Sequence, residues 1–266
     1  MLTPARLEWP TSEKADSQLR AGLRFGHKGT HTSRTMMLSE LSELFAAVPA
    51  DAGREDYATA VVEENVLGKQ TVSNRRLTNQ RLGELYGLDS RIAVFRVVRR
   101  LWDFDEPGRP LIALLCALAR DPLLRASAPA VVGLSPGSEL SRTAMLSTLT
   151  AATESRLNES ILDKVARNAG SSWTQSGHLE GRVRKIRQRV EPSFGPVAFA
   201  LWLGAIQGLA GEDLLKTPWA QVLDVSPARL LDLALKAKQL NLIHVVTGGS
   251  VVEIDAAMLD PAMERF

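Results

Sequence analysis

A single cysteine, Cys116, stands in a chain of 266 residues. No internal disulfide can form, which excludes a cross-linked scaffold and leads to the expectation of a reducing, cytoplasmic compartment. Aromatic residues make up only 5% of the chain, yet 45% of residues are hydrophobic and 23% are charged. Those proportions are ordinary for a globular protein and exclude a fully disordered or collagen-like chain. No basic start with an apolar core and a small-residue cleavage site is visible, so no secretory leader is expected. A membrane span needs about 20 apolar residues. The closest approach, residues 194–209, is shorter and contains Pro196 and Gln207. It follows a basic stretch, as a span on the positive-inside pattern would. A buried helix is nonetheless the expectation, with no membrane partner. No fixed-period repeat and no low-complexity tract are present. The length suits one or two domains with a core that needs no disulfide or metal.

Residues 1–32 show no helical or strand period and carry Pro4, Pro10, Gly22, Gly26 and Gly29. They read as an extended basic arm. Thr32 and Ser33 fit a helix N-cap, and Met37, Leu38, Leu41, Leu44 and Phe45 recur at helical spacing. Further helices are expected over 54–67, over 73–85 with Thr71 or Ser73 as cap, and after Ser90, with Ile92, Phe95, Val98, Leu101 and Trp102 facing inward. Residues 111–119 are apolar on all sides, the mark of a core helix. A soft boundary near 133–137 separates an N-terminal helical domain, 33–135, from a C-terminal domain, 136–266. In the second part Asn158 is expected to cap a short helix over 159–168, followed by a loop. Ser226 and Pro227 open another helix. Residues 242–246 and 251–254 flank a Gly-Gly turn and predict a β-hairpin. The expected class is mainly α, with a helical N-terminal domain and a winged helix-turn-helix-like C-terminal part.

Chemistry-bearing motifs are weak. Gly133, Ser135 and Gly137 match the nucleophile-elbow pattern, but that chemistry needs a strand before the serine, and none is expected here. Residues 22–30 have the glycines and lysine of a phosphate loop at the wrong spacing. His27 and His31 are four apart in a glycine-rich stretch, and His178 and His244 are isolated, so no metal site is expected. Glu63, Glu64, Asp103, Asp105 and Glu106 read as solvated charges. No catalytic set emerges, and the expectation is a non-enzyme with no cofactor and no small-molecule substrate.

Charge carries more information. Net charge is only +2, but residues 164–189 hold seven Lys/Arg against one acid, Glu180. Residues 20–34 hold Arg20, Arg24, Lys28 and Arg34 without an acid. Such segregation is the footprint of a polyanion binder, although a solvated helix face has the same look. Three sets of candidate DNA contacts follow. Lys28 lies in the arm and Arg34 just after it. Asn74, Arg75, Arg76, Asn79 and Arg81 carry side chains able to read base edges. Lys164 and Arg167 belong to a possible recognition helix. Ser171, Ser172, Trp173, Thr174 and Gln175 form the segment behind it, and Arg182, Arg184, Lys185 and Arg187 supply phosphate contacts. Trp173 is by type more often a core residue. The turn at 247–250 has no Lys or Arg and reads as structural.

Glu63, Glu64, Asn65, Val66, Leu67 and Lys69, followed by Asn74, Arg75, Arg76, Gln80, Arg81, Leu82 and Leu85, resemble the early part of the BrxA proteins of BREX phage-defence systems. Ala237, Lys238 and Leu240, then a hairpin and the Leu259-Asp260-Pro261 end, look similar to their C-terminal part. The likeness extends over most of residues 35–260; the glycine-rich arm and the Ser-Ser-Trp segment depart from it. It implies a small, mostly helical, non-enzymatic protein of a defence system that binds double-stranded DNA, with other defence-system proteins as possible partners. A protein-interaction scaffold that assembles such machinery without touching DNA is the alternative.

Overall fold

The computed structural model describes residues 7–10, 16–248 and 251–263. Its elements are α1 (Asp16–Ala21), α2 (Leu38–Ala47), α3 (Arg54–Val62), α4 (Val72–Tyr86), α5 (Ala93–Phe104), α6 (Arg109–Arg120), α7 (Pro122–Val132), α8 (Arg142–Ala152), α9 (Glu159–Gln175), β1 (Leu179–Glu180), β2 (Ile186–Arg187), α10 (Phe194–Ala205), α11 (Pro218–Gln221), α12 (Pro227–Gln239), β3 (His244–Gly248) and β4 (Val251–Asp255). Among the described residues the protein is mainly helical with two small antiparallel hairpins.

The all-apolar helix sits at the centre: every α6 residue from Leu111 to Arg120 is buried. Helix α5, whose Val94, Val97, Val98 and Leu101 are fully buried, packs against it, and α10 lies against both. Helix α10 is the apolar stretch weighed above as a span. It is buried from Gly195 to Gly204. Among the described residues no helix is long and apolar enough to cross a membrane. One hydrophobic cluster contains residues from both sides of the expected 135/136 boundary, from Ala21 to Leu259.

Helix starts follow their caps. Thr71, Ser141, Asn158 and Ser226 each accept a backbone N–H from the first turn that follows. The helix expected to open at Thr32 and Ser33 begins only at Leu38, because a side chain from α9 supplies its cap: the Leu38 N–H donates to Gln175 Oε1 at 3.0 Å. The helix expected after Ser90 begins at Ala93, with Ile92 at its N-cap. The helix over 54–67 stops at Val62, where Asn65 (φ 53°) and Gly68 (φ 60°) turn the chain.

The extended arm expected over 1–32 is, from residue 16 on, a folded segment. Residues 16–21 are helical, Ala21 and Leu23 are buried, and Arg24 N–H donates to the Ala119 carbonyl at 3.0 Å. The rest of that expectation, residues 1–6 and 11–15, lies outside the described residues. The loop expected after Asn168 is helix instead. Ser172 and Thr174 return their hydroxyls to the carbonyls of Asn168 and Gly170, each at 3.0 Å, so these poor helix formers are absorbed into α9.

The expected C-terminal hairpin forms as β3–β4, with Val245 opposite Ile254 and His244 opposite Asp255. Its tip, residues 249 and 250, lies outside the described residues. A second hairpin, β1–β2, was not foreseen. It follows α9 directly, and Ile186 also bridges to Glu139 on its other side. The chain order from α7 onward is therefore helix, edge segment, α8, α9, hairpin.

Candidate nucleic-acid interface

The first turn of α8, the exposed side of α9 and the β1–β2 hairpin enclose a groove of about 600 Å³. Leu140, Met145 and Ala166 contribute apolar lining, and the exposed Val183 stands at its rim. Arg142, Arg167, Arg182 and Lys185 line it with positive charge, against the carboxylates of Glu139 and Asp163. Arg184, on the same hairpin, donates through Nε and Nη2 to Glu139 Oε2 at 2.9 and 2.7 Å. Arg142 donates to Asp163 Oδ1 at 2.7 Å, and Arg167 lies 3.3 Å from Asp163 Oδ2. These hydrogen bonds hold Asp163 and Glu139 below the ordinary carboxylate range, so both stay ionised. Lys185 lies along α9, where Gly170 leaves room for its stem, and its Nζ donates to Thr174 Oγ1 at 2.8 Å. Burial lowers its pKa from the ordinary lysine value. Arg182 is exposed and makes no ion pair among the described residues.

Helix α9 presents Ser160, Lys164 and Arg167 to solvent, with Ser171 half-buried one turn on. The spacing of four, three and four residues puts them on one face. The opposite side is core: Val165, Ala169 and Trp173 are fully buried.

That division corrects several expectations. Trp173 is not exposed for stacking; it is 0% exposed, donates Nε1–H to Ser127 Oγ at 2.8 Å and meets the His178 ring edge-on. Ser172 is 0% exposed and bonds internally. Its Oγ accepts from the Met36 N–H and lies 2.8 Å from His31 Nε2, while His31 Nδ1 lies 2.8 Å from Asp121 Oδ2. Serine, histidine and aspartate in that order have the connectivity of a nucleophilic relay. Ser172, His31 and Asp121 are 0%, 0% and 1% exposed, so no substrate carbonyl reaches this oxygen. The trio instead ties the segment before α2 to α7 and α9. Gln175 belongs to the same tie: its Nε2 donates to Thr35 Oγ1 at 3.0 Å and its Oε1 caps α2. Thr174 is occupied by Lys185. Arg187 is 2% exposed and spans the interior, donating to the Val131 carbonyl at 2.9 Å and to Asp224 Oδ1 at 2.6 Å. Ser172, Trp173, Gln175 and Arg187 are therefore structural.

The α4 set is mostly engaged as well. Arg75 folds back on the carbonyls of Lys69 and Val62 at 3.3 and 3.1 Å. Arg81 pairs with Glu84 at 2.7 Å. Asn74 accepts from Arg34 Nη2 at 3.3 Å, which ties up both candidates. Asn79 is half-buried beside Arg24 and Glu84 in a smaller polar cavity of about 370 Å³. Arg76 and Lys28 point to solvent.

The groove also contains residues not foreseen: Glu139, Arg142, Asp163 and Val183. The Ser141 cap placed directly before Arg142 was the one local signal for them. Ser135 of the elbow-like pattern lies in the turn after α7, with no strand before it. Among the described residues no group of three His, Cys, Asp or Glu side chains is arranged to hold a metal.

No protein-family model matches this chain, and no curated protein matches it in sequence.

Proposed function

We propose that this protein binds double-stranded DNA through a winged helix-turn-helix unit made of α7, α8, α9 and the β1–β2 hairpin. The single observation that carries the reading is the groove between α9 and the hairpin, lined by Arg142, Arg167, Arg182 and Lys185. The order helix, edge segment, helix, helix, hairpin is that of a winged helix, with α9 as recognition helix and β1–β2 as wing. In this reading the wing is the hairpin after α9, and the C-terminal β3–β4 hairpin is structural. Ser160, Lys164 and Arg167 enter the major groove, which is wide enough for a helix. One phosphodiester strand lies in the groove, against Arg142, Lys185 and the first backbone N–H groups of α8.

These are chiefly contacts to charge and shape, so binding is sensitive to salt. The BrxA likeness supports a role as a non-enzymatic accessory protein of a phage-defence system, acting on DNA beside other defence proteins.

Fluorescence anisotropy with a labelled random-sequence duplex, repeated across salt concentrations, tests the reading. Affinity that falls steeply with salt is expected. Absence of binding at low salt overturns it and leaves the interaction scaffold.

A further inference from the structure

We infer that the tip of the β1–β2 hairpin is a minor-groove wedge, with Val183 as its apolar point and Arg182 as its anchor. The inference rests on the duplex-binding reading and specifies what the hairpin touches.

Val183 is 92% exposed, whereas the next most exposed large apolar side chain among the described residues, Phe104, reaches 56%. An isolated exposed valine needs no explanation by itself. This one stands at the outermost point of a braced turn, between two arginines. Glu139 bridges to Ile186 and accepts both Arg184 hydrogen bonds, and Lys185 is tied to Thr174. Gly181 has φ of +101°, and the Arg184 carbonyl oxygen occupies the place where its Cβ would stand, so no other residue fits the turn. The base of the hairpin is held while Arg182 and Val183 project from it.

The groove fixes which side of the DNA this tip meets. Each phosphodiester strand of a duplex borders the major groove on one side and the minor groove on the other. With α9 in the major groove and the strand lying between α9 and the hairpin, the tip is on the minor-groove side. A β-branched side chain flanked by a guanidinium suits that site. Arginine is drawn to the negative potential of a narrow minor groove, and apolar residues wedge against base steps there.

The test compares two duplex polymers, poly(dG-dC) and poly(dI-dC). Their major-groove edges are the same; hypoxanthine lacks only the N2 amino group that guanine projects into the minor groove. The wild-type protein is expected to bind poly(dI-dC) about tenfold more tightly, the scale of one obstructed base contact. Val183→Ala and Arg182→Ala are each expected to cut that preference to about threefold or less, still with measurable binding to both polymers. Equal wild-type affinity for the two polymers overturns the wedge and leaves duplex binding intact. A preference that survives both substitutions also overturns it, because some other element is then reading the minor groove. Failure to bind either polymer at low salt overturns the wedge and the duplex-binding reading together.

Discussion

Arg182 and Arg187 lie on the same short hairpin and have opposite environments. Arg182 projects into solvent with no ionic partner among the described residues, while Arg187 is 2% exposed and bound to Asp224 and the Val131 carbonyl. Both belong to the run of positive charge that marks residues 164–189 in the sequence. The difference shows that a count of cations along a chain mixes two populations. Some neutralise internal acceptors and hold elements together; others remain free to meet a polyanion. Ser171 and Ser172 repeat the lesson on α9, one beside the groove and the other closed in with His31 and Asp121.

Removing the internal member should have the largest effect. Arg187→Ala leaves Asp224, itself only 11% exposed, without its guanidinium. Breaking one side of a buried pair costs about 3–5 kcal/mol. Urea unfolding is expected to show a loss of that size, with DNA affinity per folded molecule unchanged. A stable variant with weakened DNA binding would place Arg187 in the other population.

A second effect concerns pH and comes from the same interior. His178 is fully buried, with Nδ1 near Ser176 Oγ and Nε2–H donating to the Val222 carbonyl. Burial pushes its pKa down to about 4, against roughly 6.5 in an unfolded chain. As pH falls below that unfolded value the unfolded state takes up a proton that the folded state refuses. This contribution is therefore complete above about pH 6.5 and is lost progressively towards pH 4, by about 3 kcal/mol. His178→Gln should flatten that part of the stability profile, measured as unfolding midpoint against pH.

The smallest expected effect is on the outer population. Glu139 occupies Arg184 through two hydrogen bonds. Glu139→Gln frees the guanidinium and removes a repulsive carboxylate from the groove. DNA affinity by anisotropy is expected to rise about twofold, chiefly in the association rate. A fall in affinity would mean that Glu139 orients Arg184 for contact rather than competing for it.

The sequence made some of this legible and hid the rest for physical reasons. Helix α6, helix α12 with its Ser226–Pro227 start, and the β3–β4 hairpin are written in local pattern: an apolar run, a cap, alternation around glycines. The β1–β2 hairpin has two residues per strand, too few for alternation to register. Helix α9 runs through Ser171, Ser172 and Thr174, whose propensities argue for a loop, because back-bonded hydroxyls and the burial of Trp173 override them. The arm over residues 1–32 reads as extended from its glycines and prolines, yet His31 is held by Asp121 and Ser172, which lie 90 and 141 residues further along the chain. The basic segment around the groove was visible as charge. Its sorting into inner and outer members depends on partners such as Asp224 and the Val131 carbonyl, which no local window contains.

The most direct test of the account is the salt dependence of duplex affinity for the wild-type protein and for an Arg167→Glu, Arg182→Glu double variant. Contacts from Arg142, Lys164, Arg167, Arg182 and Lys185 predict a wild-type slope of log K against log salt of about −4.5, at roughly −0.9 per phosphate neutralised. The double variant should bind about thirtyfold more weakly, with a slope shallower by about 2 and an unchanged thermal midpoint. Wild-type and variant slopes that coincide, or wild-type binding that ignores salt, would contradict the assignment of the outer cations to the DNA interface.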